Sequence, residues 1–245
     1  MQVPGNRTFY LVNSSVLPER HQTTLTMSDP PRSAGLRRDE GWAADDDGWI
    51  RGRHGVLPAL EAVLAEPDVR TADHIVLTGD ITAGPQPTQV LDLLTSLRDH
   101  VIWISGNADR EVLEHRRGQG GTIPDPIARW AAEQLREDHL DLLGSLPRSL
   151  SLSVNGLRLA HGRLVINPGS IGMPYGRTGA HRALLGPGIE LRTTHFDLQA
   201  AATQLSQDSS YPDITEWADY FLHARASDAD ALAAFAPRDG RDHSP

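Results

Sequence analysis

The chain contains no cysteine and no lysine. Without cysteine there are no disulfides, no thiolate zinc sites and no cysteine nucleophile. Without lysine, all 23 basic residues are arginine. A Walker-type phosphate loop needs a lysine, so that nucleotide chemistry is excluded. Long apolar runs are also missing. None approaches the roughly 20 residues that span a bilayer, and TFYLVNSSVL is too short and too interrupted by polar residues for a signal peptide. No membrane partner and a cytoplasmic location are therefore expected. The net charge of −9 comes with no basic stripe, which argues against nucleic-acid binding.

What is present is ordinary for a globular protein with a sizeable core: 245 residues, 39% hydrophobic and 22% charged. Residues 1–50 show neither helical periodicity nor sustained alternation, and PERHQTT, SDPPRSAGLRRDE and ADDDG are rich in polar residues. They are expected to form a disordered extension, and Met27 is a candidate alternative start. The regular domain is expected over 51–200, with a C-terminal helical segment of the same domain at 201–235 and a loose tail at 236–245.

Within the domain, helix and strand signals alternate. Leu57, Leu60, Val63 and Leu64 form a helical stripe, and EPDVRTAD reads as a connector. HIVLTGD reads as a buried strand over Ile75–Leu77 that ends in a Gly-Asp turn. Val90, Leu93, Leu94 and Leu97 mark a second helix, and VIWISGN a second strand closing on Gly-Asn. This order implies an α/β fold with a largely parallel sheet. A further helix should start at Asp125-Pro126. Two hairpins are expected, one around Asn155-Gly156 and one around Gly186–Gly188. DITE, at Asp213 to Glu216, matches a capping box ahead of a C-terminal helix.

Asp80 and Asn107 each fall just past the carboxyl end of a short buried strand, the edge where open α/β sheets bind ligands. Both are hard oxygen donors suited to magnesium, manganese or iron. His161 ends another strand-like run, LRLAHG, and His54 precedes the first helix in RGRHG; imidazoles are common transition-metal ligands. Taken singly, each motif reads as an ordinary turn or a surface histidine. Their ordered combination is distinctive: His-Gly before a helix, GDITAGP, Gly-Asn-x-Asp, His-Gly, then Asn-Pro-Gly-Ser at Asn167 to Ser170. No G-x-G-x-x-G follows a strand, which disfavours a dinucleotide-binding domain.

From His54 to Tyr175 this set resembles the calcineurin-like metallophosphoesterases, in particular their small bacterial phosphodiesterase branch. The resemblance implies a β-sandwich flanked by helices and two divalent ions (manganese, magnesium, iron or nickel). It also implies hydrolysis of a phosphoester substrate by metal-activated water. Carried over residue by residue, Asp80 matches the carboxylate that bridges both ions. Asn107 and His161 match ligands of one ion, and His54 a ligand of the other. Asp109 matches the acidic end of the Gly-Asn-His-Asp/Glu motif and joins Asp80 and Asn107 as a catalytic candidate.

The pattern breaks in three places. Gly52 stands where Asp-x-His has its aspartate, and ADDDGWIRG replaces the apolar strand before it. Gly-His-Thr-His is absent, leaving only Arg163 to Ile166 between His-Gly and Asn-Pro-Gly-Ser. Ala108 occupies the position of an acid/base histidine. The retained ligands suffice for one ion rather than two, and some strands are expected to be missing. Asp45, Asp46, Asp47 or His181 could replace lost ligands. Three readings stay open: a working phosphodiesterase with substitute ligands, a non-catalytic binding or scaffold protein, and a damaged copy of an ordinary phosphodiesterase gene.

Overall fold

The structure is a computed structural model, and it describes residues 9–12, 55–119, 123, 126–148, 168–185, 188–225, 227 and 229. The strands are β1 (Phe9–Val12), β2 (His74–Leu77), β3 (Val101–Trp103), β4 (Ala180–Leu185) and β5 (Ile189–Thr194). They form one sheet in the order β3-β2-β1-β4-β5. The first three are mutually parallel, with Leu11 opposite Val76 and Val76 opposite Ile102. β4 runs antiparallel to β1, and β5 antiparallel to β4.

The helices are α1 (Leu57–Ala65), α2 (Pro67–Arg70), α3 (Pro87–Ser96), α4 (Asn107–Arg116), α5 (Pro126–Gln134), α6 (Glu137–Ser145), α7 (Leu198–Asp208) and α8 (Ile214–Leu222). Ile75, Val76 and Leu77 are all buried, as a strand covered on both faces requires. Leu60 and Val63 of α1, Val90 and Leu94 of α3, and Val112 of α4 join the same core, as do Leu205 of α7 and Trp217 of α8. None of the described helices is long and apolar enough to cross a membrane.

The mixed helix and strand class holds, as do both parallel strands, the helices at Leu57 and Val90, and the hairpin around Gly186–Gly188. Three expectations need adjusting. The disordered reading of residues 1–50 fails at Phe9–Val12, which forms the middle strand of the sheet. A four-residue apolar run is too short to display a period, and only its pairing with β2 and β4 reveals it. EPDVRTAD is not a plain connector, because Pro67–Arg70 makes a single helical turn. The DITE box does not close, since the Asp213 side chain makes no capping hydrogen bond to α8. The side-chain cap is instead Asp197 of α7, which accepts from the backbone of Gln199 and Ala200 at 3.0 Å each. The hairpin expected around Asn155-Gly156 and the tail from 236 lie outside the described residues.

An ion cluster ties the start of α6 to α3. Arg136 donates to both oxygens of Asp92 at 2.6 and 3.1 Å, and His139 Nε2 lies 3.0 Å from Asp92 Oδ1. The Arg136 hydrogen bond holds the Asp92 carboxyl down at about 2, against the opposing pull of burial. A depressed folded-state pKa stabilises above the unfolded value of about 3.9 and is lost as pH falls through the folded value. Because Asp92 is half exposed, solvent screening limits the effect to about 1 kcal/mol. The stability gap between the chain and Asp92→Asn is to be followed by urea unfolding across the acidic range. It should close between pH 4 and 2, and a gap that stays constant there would contradict this origin.

Candidate metal centre

The three parallel strands end on one edge of the sheet, and two turns leave that edge side by side. Gly79 (φ 108°) and Asp80 (φ 54°) follow β2. Gly106 and Asn107 follow β3 and open α4. The two turns are in backbone contact. A Cβ on Gly79 would lie 2.3 Å from Cα and N of Gly106, and one on Gly106 would lie 2.1 Å from Asp80 Oδ1. Glycine is required at both positions for this close approach.

Asp80 is a buried, non-glycine residue in the left-handed region, a conformation that costs free energy and persists where the surroundings enforce it. Part of that enforcement is visible. Asp80 Oδ1 accepts from the backbone N–H of Ala108 at 2.8 Å, which seats the carboxylate at the N-terminus of α4. Ala108 has no acid/base group to offer, but its backbone holds the neighbouring carboxylate.

The Asn107 amide is satisfied at one end only. Its Nδ2 donates to Glu111 Oε1 at 3.3 Å, one helical turn later, and this fixes which way the amide lies. Its Oδ1 is buried and accepts no hydrogen bond. A buried amide oxygen without a partner costs about 1–3 kcal/mol, so a cation there would satisfy it. With the Asp80 carboxylate, it offers two hard oxygen donors, a set that fits a divalent ion.

Asp109 was a catalytic candidate, but its oxygens are taken up within the fold. Oδ1 accepts from Ile81 N (2.7 Å), Thr82 N (3.2 Å) and the Thr82 hydroxyl (3.2 Å). Oδ2 accepts from Gly106 N at 2.9 Å. Burial pushes this carboxyl above the usual range, and the hydrogen bonds from Gly106, Thr82 and Ile81 pull it back. It braces one turn against the other.

The other candidates are dispersed. His54, His161, Asn167 and Asp45 to Asp47 lie outside the described residues. Among the described residues, no three His, Asp or Glu side chains converge on a metal position. Gly55, next in sequence to His54, is pressed against Gly84 of GDITAGP and is held through its carbonyl by Gln86 N at 2.8 Å. His181 is not a ready replacement ligand. Its Nδ1 lies 2.9 Å from the Thr193 hydroxyl and its Nε2 3.1 Å from the Arg177 carbonyl. The Ser170 hydroxyl accepts from Met173 N, and its carbonyl from His181 N. Glu111, which orients the Asn107 amide, was not singled out. The only sequence signal for it is its position four residues after Asn107.

A sequence profile of the calcineurin-like phosphoesterases matches residues 50–182, more than half of the chain. The chain belongs to that family. No curated protein matches it. Among solved structures it is similar to a metallophosphoesterase from Sphaerobacter thermophilus, with a TM-score of 0.55 and 16% identity over 88% of this chain and 99% of that one. It is also similar to a hypothetical protein from Pyrococcus horikoshii, with a TM-score of 0.53 and 15% identity over 71% and 96% of the two chains. At such identities the likeness is one of fold. Calcineurin-like phosphoesterases in general use divalent metals to hydrolyse phosphoesters. In this member, the structure brings Asp80 and Asn107, two of the residues expected as ligands, to adjoining turns.

Proposed function

We propose that this calcineurin-like phosphoesterase is a working phosphodiesterase that depends on a divalent ion, with manganese as the probe of choice. The observation that carries the reading is the buried, unpartnered Asn107 Oδ1 beside the Asp80 carboxylate at the carboxyl edge of the parallel strands. Asp80 and Asn107 would hold the ion, with His161 proposed to complete its shell and His54 proposed as a ligand of a second ion. The ion would supply polarisation of the phosphoryl group and activation of water. The chain's own residues provide the frame. Ala108 N–H fixes the carboxylate, Glu111 fixes the amide, and Asp109 locks the two turns together. Leaving-group protonation by a side chain at position 108 is absent from this arrangement, which favours esters with good leaving groups.

Hydrolysis of bis(p-nitrophenyl) phosphate, with and without Mn²⁺, tests this directly. Turnover is expected only with Mn²⁺, and Asp80→Asn is expected to lower it at least ~100-fold, the scale of losing a principal electrostatic group. Calorimetry with Mn²⁺ alone should show binding by the chain and none by the variant. A folded chain that binds Mn²⁺ but hydrolyses nothing would replace this reading with a binding role.

A further inference from the structure

The sheet ends on one side in β3 and on the other in β5, which pairs with β4 alone among the described residues. An open strand edge presents a row of backbone N–H and C=O groups with which another strand can pair, and folded chains commonly guard it with proline, a bulge or lysine. β5 has none of these guards. IELRTT is six residues long, contains no proline, and runs in unbroken register with β4 from Ile189 opposite Leu185 to Thr194 opposite Ala180. Its Leu191 is 65% exposed, the only large apolar side chain so exposed among the described residues.

Successive side chains of a strand point to opposite faces, so Glu190 and Arg192 share one face and Leu191 takes the other. Arg192 Nη2 donates to Glu190 Oε2 at 2.7 Å, and Arg192 also pairs with Asp68 of α2. The triplet Glu-Leu-Arg is self-complementary in charge about a two-fold axis through Leu191. With a second β5 laid antiparallel on that axis, Leu191 falls opposite Leu191, and Glu190 of each chain opposite Arg192 of the other. Opposite charges across a strand pair stabilise it, and like charges directly opposite destabilise it. Other alignments meet that penalty. A parallel copy in register sets Glu190 against Glu190 and Arg192 against Arg192, and an antiparallel copy centred on either residue sets that charge against itself.

We infer that the outer edge of β5 is a self-association surface, on which a second copy of this chain adds its own β5 antiparallel about a two-fold axis at Leu191. The same patch serves both chains, so the contact closes at two copies. β4 and β1 separate β5 from β2 and β3, so the Asp80 and Asn107 turns lie outside the contact. The surface is independent of the phosphodiesterase reading and stands or falls without it.

Sedimentation of the full chain across the micromolar range should show a species of twice the 26.7 kDa of one chain. Leu191→Lys sets like charges against each other at the axis and should weaken association at least ~10-fold, with the fold intact by circular dichroism. The register has its own test, because the chain contains no cysteine and one introduced thiol reports which residue faces itself. Directly opposite residues of an antiparallel pair lie about 4.5–5.5 Å apart at Cα, within disulfide range. Leu191→Cys should therefore yield a covalent dimer on mild oxidation. Ile189→Cys keeps the Glu-Leu-Arg triplet but lies two residues from the axis, and should yield none. A chain that sediments as one copy throughout that range overturns the surface, as does a dimer that Leu191→Lys leaves unaffected. Equal cross-linking from the two cysteine variants overturns the antiparallel pairing at Leu191.

Discussion

Asp109→Ala should lower the melting temperature of the chain by about 10 °C, more than any other single truncation in the candidate centre. The side chain accepts from three backbone N–H groups, those of Ile81, Thr82 and Gly106, and from one hydroxyl. Alanine supplies no acceptor, and at a position 1% exposed no water readily replaces one. Leaving several buried donors unmade costs about 1–3 kcal/mol each before relaxation, so a net loss of roughly 3–5 kcal/mol is expected. For a chain of this size, 1 kcal/mol is worth about 2–4 °C. Asp109→Asn is the informative companion. One amide oxygen can serve the Ile81 and Thr82 side, but the amide NH₂ then meets the Gly106 N–H, donor against donor. An intermediate loss is expected, and Mn²⁺ affinity should fall with it, because the Asp80 and Asn107 turns would no longer be locked in register. Thermal unfolding followed by circular dichroism measures the first effect and calorimetry the second. A melting temperature equal to that of the parent in Asp109→Ala would show that the brace contributes nothing.

The same residue shows where sequence reasoning reached and where it stopped. Asp80 and Asn107 were legible through the ordered set of motifs, because a Gly-Asp or Gly-Asn taken singly reads as an ordinary turn. Helices α1 and α3 were legible because their apolar positions recur with the right period, and strands β2 and β3 because each is a short apolar run that closes on a glycine turn. Asp109 was recognised as part of the motif but not for its contacts, since its partners at Ile81 and Thr82 lie 28 and 27 residues away. Read locally, Gly106 to Asp109 has half of a capping box, an acidic third residue returning to the N-cap N–H, and that pattern could have suggested a brace. The hydrogen bond from Ser105 N to the Pro147 carbonyl could not have been read at all, because it joins residues far apart in the chain. DITE misled for the opposite reason. It satisfies the pattern, yet Asp213 leaves its cap unmade, while Asp197 caps α7 without the reciprocal glutamate that would have drawn notice.

β1 was the largest omission, and it supports the second strong expectation: a chain begun at Met27 should fail to fold cooperatively. Phe9–Val12 pairs with β2 on one side and β4 on the other, so its removal leaves two facing rows of backbone donors and acceptors without partners in the middle of the sheet. It would also disconnect the antiparallel pair β4–β5 from the parallel pair that carries Asp80 and Asn107. The family profile begins at residue 50, well after this strand. The fold therefore draws its central strand from outside the matched region, where the family pattern would place one immediately ahead of His54. Purified 27–245 is expected to show a broad, non-cooperative melt and no Mn²⁺ binding. Leu11→Pro in the full chain should act the same way, because proline removes a ladder donor and is not tolerated in a central strand. If 27–245 instead melts cooperatively at the parent temperature, the middle of the sheet must be filled from elsewhere. ADDDGWIRG, directly ahead of His54, would then be the segment to mutate next, with Ile50→Pro expected to unfold the shortened chain.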